Sequence, residues 1–139
     1  MNSYKFSDIH VGLEESFEVS ITAEMMQKFL DISGDINPLH IDETYAKEKG
    51  FQGKVVYGML SSSFYSTLAG VYLPGKFCIL QGADIQFSNP VFIGDTLKIT
   101  GKVSYINEAY KQLEIKAIIR NQDNKKVSKA TIKTGVMDE

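Results

Sequence analysis

The sequence predicts an α+β domain with an antiparallel sheet and one buried helix. Three observations predict this layout. One strand pattern near the N-terminus is followed by two helical patterns, residues 57–73 then contain no charged side chain, and four strand patterns close the chain. Consecutive strand patterns with short polar connections predict antiparallel hairpins. Helices grouped apart from such a sheet are typical of the α+β class.

The N-terminal third combines one strand with two helices. Residues 17–21 alternate apolar and polar side chains, which predicts a half-buried strand. Thr22 is a suitable N-cap for the helix that follows, which runs to about residue 33. Gly34 can end this helix because glycine enters the left-handed region without steric cost. A second, polar helix is predicted over residues 43–49.

The uncharged run at 57–73 is too long for a typical strand, so we predict a helix that is buried on most sides. Its two faces differ in size: Leu60, Phe64, Leu68 and Val71 form a bulky stripe, and Ser62, Ser66 and Ala69 form a small one.

Four strands with alternating apolar residues are predicted after this helix, over 77–87, 97–105, 113–119 and 130–136. Hairpin turns are expected at 107–109 and 122–125. Val127 is out of register with the last pattern, which predicts a bulge or a later strand start.

Length and composition exclude several classes of protein. A chain of 139 residues and 15.5 kDa predicts one domain that spans residues 1–139. A net charge of -2 and the lack of a basic recognition segment argue against nucleic-acid binding. No apolar run is long enough to cross a bilayer, and we expect a cytoplasmic protein. One cysteine and two histidines, without clustered ligands, argue against a metal site.

The segment at 33–40, which reads Ser-Gly-Asp-Ile-Asn-Pro-Leu-His, contains the candidate chemistry. Asp35 and His40 are five positions apart, so they would not share a face of a helix. Pro38 disfavours helical geometry at Asn37, and the Asn37 side chain can stabilise a turn through nearby backbone. A tight turn would bring the carboxylate and the imidazole together. The segment therefore predicts an acid/base pair.

These residues also carry a family resemblance. The pattern Ser-Gly-Asp-x-Asn-Pro-x-His, followed by Val-Val-Tyr-Gly-Met-Leu at 55–60 and Pro-Val-Phe-Ile-Gly-Asp at 90–95, resembles the signature of MaoC-like (R)-specific enoyl-CoA hydratases and acyl dehydratases. The resemblance implies a hot-dog fold, in which an antiparallel sheet wraps one long apolar helix. It also implies that Asp35 and His40 are the catalytic pair. Tyr57 is a departure, since family members commonly have histidine at this position.

Hydration of a 2-enoyl thioester needs a base, an acid and a hydrogen-bond donor for the thioester oxygen. Asp35 and His40 are candidates for the first two roles, and the sequence leaves open which is which. Gly58 opens the uncharged helix, where backbone amides lack intrahelical partners and the dipole favours negative charge. The resemblance gives the matching glycine this oxyanion role. Asn37 either holds the turn or contacts the ligand.

The acyl group of the substrate needs a pocket of its own. Ser62 and Ser66, on the small stripe of the uncharged helix, are candidates for lining that pocket. An alternative interpretation is that they are small only to let the sheet approach the helix.

The favoured function is reversible hydration of trans-2-enoyl-CoA to (R)-3-hydroxyacyl-CoA without a cofactor, coenzyme A or acyl carrier protein being part of the substrate. Alternatives are a dehydratase that acts on acyl carrier protein, a hot-dog acyl-thioesterase and a non-catalytic acyl-thioester binding module. Related thioesterases usually place a carboxylate on the central helix, and residues 57–73 contain none.

A single sheet around one helix leaves an exposed edge and an open face. We therefore expect a homodimer or a higher oligomer. The family resemblance agrees, and it implies a substrate tunnel near the contact between subunits.

Overall fold

The computed structural model describes residues 1–138, so the predicted domain end at residue 139 lies outside the described residues. Five antiparallel strands form one sheet in the order β1-β3-β4-β5-β2. The strands are β1 (Glu14–Ser20), β2 (Cys78–Phe87), β3 (Thr96–Asn107), β4 (Gln112–Arg120) and β5 (Lys126–Val136). β3, β4 and β5 are joined by the two predicted hairpins, and β1 and β2 form the edges.

The helices are α1 (Ala23–Ser33), α2 (Pro38–Ile41), α3 (Glu43–Glu48) and α4 (Gly58–Thr67). A 3-10 turn at Phe6–Asp8 precedes β1, and a π-helical segment at Leu68–Tyr72 continues α4. Thr22 caps α1 through its side chain and Gly34 ends the helix at φ 68°, as predicted. A tight turn is predicted before His40. In the structure this stretch includes the single helical turn of α2, which begins at Pro38 because proline is well suited to the first position of a helix.

The helix formed by α4 and the π-helical segment occupies the centre of the fold, and the sheet wraps around it. This is the hot-dog fold. The buried residues of this helix include both small and bulky side chains: Leu60, Ser61, Ser62, Tyr65, Leu68 and Ala69. The helix type also changes after Thr67, so the α-helix is shorter than the predicted run.

Gly101 of β3 lets this helix approach the sheet. A Cβ built on Gly101 would lie 2.6 Å from Cδ2 of Leu68, in the π-helical segment, and 3.0 Å from Cγ2 of Ile115. Leu68 and Ile115 are fully buried, so neither side chain has room to move away. Glycine at this position therefore sets the distance between helix and sheet.

We expect Gly101→Ala to lower the free energy of unfolding by about 1–3 kcal/mol, because the added methyl overpacks the core. Urea denaturation followed by circular dichroism measures this loss. Gly70→Ala is the matched control, because its Cβ would meet nothing within 4 Å. If the Gly101 and Gly70 variants were equally stable, the core around Leu68 and Ile115 would have room for the added methyl group, and the close approach of helix and sheet would not require glycine at position 101.

The β2 strand differs from its prediction. Its apolar alternation predicts one buried face, yet Ile79 and Phe87 of that face are 46% and 55% exposed. The register also shifts between Leu80 and Gly82. An edge strand has a neighbour on one side only, so alternation alone does not bury it.

The irregularity predicted at Val127 is confirmed. Ile119 pairs with Ser128 and Arg120 pairs with Lys126, which leaves Val127 as the extra residue of a bulge. Within residues 1–138, no helix combines the length and the apolar character needed to cross a membrane.

Candidate active site

Several side chain–backbone hydrogen bonds hold the segment between α1 and α2, and in two of them the Asp35 and Asn37 side chains are the acceptors. The amide of Asn37 donates to Oδ1 of Asp35 at 3.1 Å, and the amide of Leu39 donates to Oδ1 of Asn37 at 3.0 Å. Asn37 is thus the N-cap of α2. This contact supports the structural interpretation of Asn37, and its contact with a ligand stays a prediction. The Asp35 residue is exposed.

His40 is half-buried and its ring is oriented by the backbone. Its Nδ1 lies 2.7 Å from the carbonyl oxygen of Val55. A carbonyl oxygen only accepts hydrogen bonds, so Nδ1 must carry the hydrogen. In the neutral imidazole the lone pair is then on Nε2, which is the atom that can accept a proton.

Tyr57 connects the two predicted catalytic residues. Its ring stacks on the His40 imidazole with centroids 4.2 Å apart, and its hydroxyl donates to the backbone carbonyl oxygen of Asp35 at 2.8 Å. Phe29 packs against the same ring at 4.8 Å. Burial raises the pKa of the Tyr57 hydroxyl, and the nearby charge of Asp35 raises this pKa further.

A cavity of about 270 Å³ brings His40 and Gly58 together. Its lining comprises His40, Val55, Val56, Gly58, Ser61, Phe87, Ser88, Asn89, Pro90, Val91 and Val127. Gly58 is the first residue of α4, so its amide is among those without an intrahelical partner. Asp35 is not one of the residues that line this cavity. Its pairing with His40 therefore stays a prediction.

Three of the four serines of α4 have different surroundings. Ser61 lines the cavity, and its hydroxyl donates to the carbonyl oxygen of Gly58 at 2.9 Å. Ser62 is buried, and its Oγ has no hydrogen-bond partner among the described residues. Ser66 is exposed, so it does not share the surroundings of Ser62. Substrate binding by Ser62 and Ser66 stays a prediction.

Ser61 is not among the predicted site residues, although the sequence contains a signal for it. Residues three apart on a helix share a face, so Ser61 follows from Gly58 once Gly58 is a candidate. Val55, Val56, Pro90 and Val91 also line the cavity and belong to the two motif segments at 55–60 and 90–95, whereas no sequence signal identifies the remaining walls. Phe87, Ser88 and Asn89 come from the end of β2, and Val127 comes from the bulge in β5.

Larger concavities lie elsewhere, on the outer face of the sheet. They have volumes of about 590 and 510 Å³ and are lined by polar and charged residues of the strands, including Lys102, Lys116 and Arg120. None of the predicted site residues is among their described lining. In the range 1–138, no three side chains of the types that bind metals are grouped so that they could hold an ion.

Comparisons with known proteins agree with this architecture. A family model described as "MaoC like domain" matches residues 7–130. The chain is 36% identical over 99 residues to the (R)-specific enoyl-CoA hydratase of Rhodospirillum rubrum, covering 71% of this chain and 69% of that protein. It is 35% identical over 100 residues to the enzyme of the same description from Aeromonas caviae, covering 72% and 75%. The solved structure of R-hydratase PhaJ1 from Pseudomonas aeruginosa, in its unliganded form, superposes with a TM-score of 0.90 at 29% identity, covering 97% of this chain and 86% of that one.

Proposed function

Because the chain belongs to the MaoC-like domain family, we propose that it is a hydro-lyase that reversibly hydrates a trans-2-enoyl thioester to an (R)-3-hydroxyacyl thioester. The observation that carries this proposal is the cavity shared by the His40 imidazole and the first amide of α4. The names of the relatives in Rhodospirillum rubrum and Aeromonas caviae support the proposed (R) configuration.

The reaction begins with a water molecule held between His40 and Asp35. Nε2 of His40 takes a proton from the water as its oxygen bonds to C3 of the substrate. The C2–C3 π electrons move towards the thioester, and negative charge develops on the thioester oxygen. The Gly58 amide donates a hydrogen bond to that oxygen, aided by the dipole of α4. A proton then returns to C2 from the acid/base pair, which completes the addition.

Asp35 takes part through its carboxylate. Oδ1 accepts a hydrogen bond from the Asn37 amide, while Oδ2 has no partner among the described contacts. This second oxygen is available to orient the water or to return the proton. No cofactor is needed, because the base, the acid and the donor all belong to the chain. Coenzyme A or acyl carrier protein enters only as part of the substrate, and the cytoplasmic location stays a prediction.

An assay with crotonyl-CoA tests the proposal. We expect the enoyl absorbance to fall without release of free thiol, and chiral analysis to identify (R)-3-hydroxybutyryl-CoA. Thiol release would identify a thioesterase instead. Binding without turnover, either of crotonyl-CoA or of the matching acyl carrier protein thioester, would identify a binding module.

The role of Gly58 as the oxyanion donor can be tested by adding a single methyl group at this position. A Cβ at this position would lie 3.0 Å from Cε1 of Phe87, at the wall of the cavity. We expect Gly58→Ala to lower kcat/KM by about 10²-fold, which is the lower range for loss of an oxyanion contact, because the thioester no longer reaches the amide. Gly70→Ala, on the same central helix but in open space, is the control for steady-state kinetics. Unchanged kinetics in Gly58→Ala would remove Gly58 from the oxyanion site.

We also propose that the chain forms a homodimer through β2. This edge strand has unpaired backbone groups on its outer side and exposes Ile79, Leu80 and Phe87. A second copy would cover these side chains and extend the sheet. Phe87 also lines the cavity, so the interface would lie beside the site. Light scattering at micromolar concentration tests this prediction, and a stable monomer would contradict it.

A further inference from the structure

Tyr57 contacts both the His40 ring and the main chain of Asp35. It is 2% exposed and directly precedes Gly58. Its ring face contacts the His40 imidazole and its hydroxyl reaches the backbone of Asp35, which is 22 positions away in the sequence. A single side chain thus touches both members of the acid/base pair.

The backbone that carries Tyr57 is held on both sides. The amide of Val55 donates to the carbonyl oxygen of Leu39 at 3.1 Å, and the amide of Val56 donates to that of Val91 at 2.8 Å. On the other side, the carbonyl oxygen of Tyr57 accepts hydrogen bonds from the amides of Leu60 and Ser61 in the first turn of α4. These hydrogen bonds hold the backbone on both sides of Tyr57 and thereby fix the position of its side chain.

We propose that Tyr57 is a positioning residue that sets the distance and angle between Asp35, His40 and the Gly58 amide. This inference rests on the proposed hydratase function. The Val55 carbonyl holds the edge of the His40 ring and the Tyr57 ring holds its face, so the imidazole cannot rotate away from the cavity. The Tyr57 hydroxyl fixes the main chain of Asp35, and with it the point from which the carboxylate extends.

The hydroxyl is suited to this role across a wide range of pH. Burial and then the charge of Asp35 raise its pKa, so the phenol stays protonated and keeps donating at neutral and mildly alkaline pH. Phenylalanine at this position would keep the ring face for His40 and lose only the bond to Asp35. Leucine would lose both contacts. The two substitutions therefore separate the two halves of the proposal.

Steady-state kinetics test the hydroxyl. We expect Tyr57→Phe to lower kcat for crotonyl-CoA about tenfold with KM changed less than about twofold, since a tenfold change corresponds to about one hydrogen bond. In an Asp35→Asn background the same substitution should have almost no further effect, because it acts through Asp35. Tyr4→Phe, which removes a phenol–Glu15 bond of 2.6 Å on the N-terminal segment, is the control. An equal loss of kcat in both backgrounds, or no loss in either, would overturn the role of the hydroxyl.

Proton NMR tests the ring independently of activity. The chain has two histidines, so the signals of His40 and the exposed His10 can be followed separately. We expect the His40 ring signals to move downfield in Tyr57→Leu, which loses the stacked ring, and to stay close to wild type in Tyr57→Phe, with His10 unchanged in both. His40 signals that do not move in Tyr57→Leu would overturn the ring contact. A wild-type protein with no hydratase activity would refute the proposed function alone, because the NMR result reports the geometry without turnover.

Discussion

His40→Asn is expected to lower kcat/KM for enoyl-thioester hydration by about 10²–10⁴-fold, which is the contribution of a positioned acid or base. The amide of asparagine can occupy the place of Nδ1 and keep the hydrogen bond to the Val55 carbonyl, which is 2.7 Å long in the wild type. Asparagine has no group at the place of Nε2 and cannot accept the proton. The substitution therefore removes the proposed chemistry while retaining the contact that orients the side chain.

The measurement is steady-state hydration of crotonyl-CoA, with circular dichroism and thermal unfolding to establish that the variant is folded. His10→Asn is the matched control, because His10 is exposed and is not among the residues that line the cavity. Turnover within about threefold of wild type would be far below the contribution of a catalytic base and would show that His40 is not the base.

Asp35→Asn is expected to produce the second large loss, a reduction in kcat of about 10²-fold or more. Asparagine keeps the acceptor oxygen that receives the Asn37 amide at 3.1 Å, so the turn before α2 is retained. It removes the negative charge and replaces one carboxylate oxygen with a donor. The variant can no longer accept a hydrogen from water through that atom or return a proton to C2.

Asp31→Asn is the control for loss of a carboxylate, because Asp31 is exposed on α1 and accepts a hydrogen bond only from Gln27 among the described contacts. Combining Asp35→Asn with His40→Asn gives a further test. If both side chains act on one water, the double variant should be little slower than the slower single variant. Losses that multiply would indicate that the two residues act in separate steps.

The site combines rigid and open parts. The backbone of the segment before α4 positions His40 and Gly58, and the Tyr57 ring packs against the His40 imidazole. Asp35 and the wall at Phe87 are exposed in the single chain. The proposed dimer contact at β2 would enclose the Phe87 side, which would exclude water beyond the one that reacts and strengthen the hydrogen bond at the thioester oxygen.

The sequence alone determined the features that depend on neighbours along the chain. The left-handed Gly34, the hydrogen bond from the backbone to the Asn37 side chain and the helical character of the uncharged run were all predictable, because backbone preferences act over a few residues. The motif at 33–40 also identified the family before any contact was known.

Only the tertiary structure decided which residues meet across long separations. Packing of the central helix in the fold buries Ser61 and Ser62 and leaves Ser66 exposed, and the composition of the helix does not specify this difference. β2 lies at the edge of the sheet, and apolar side chains that its alternating pattern predicts to be buried are exposed there. The bond from Tyr57 to Asp35 likewise depends on how the segment before α4 packs against the end of α1. Such contacts form because burial of apolar area brings distant segments together. The periodicity of one segment predicts which of its faces is apolar, but it does not specify which other segment covers that face.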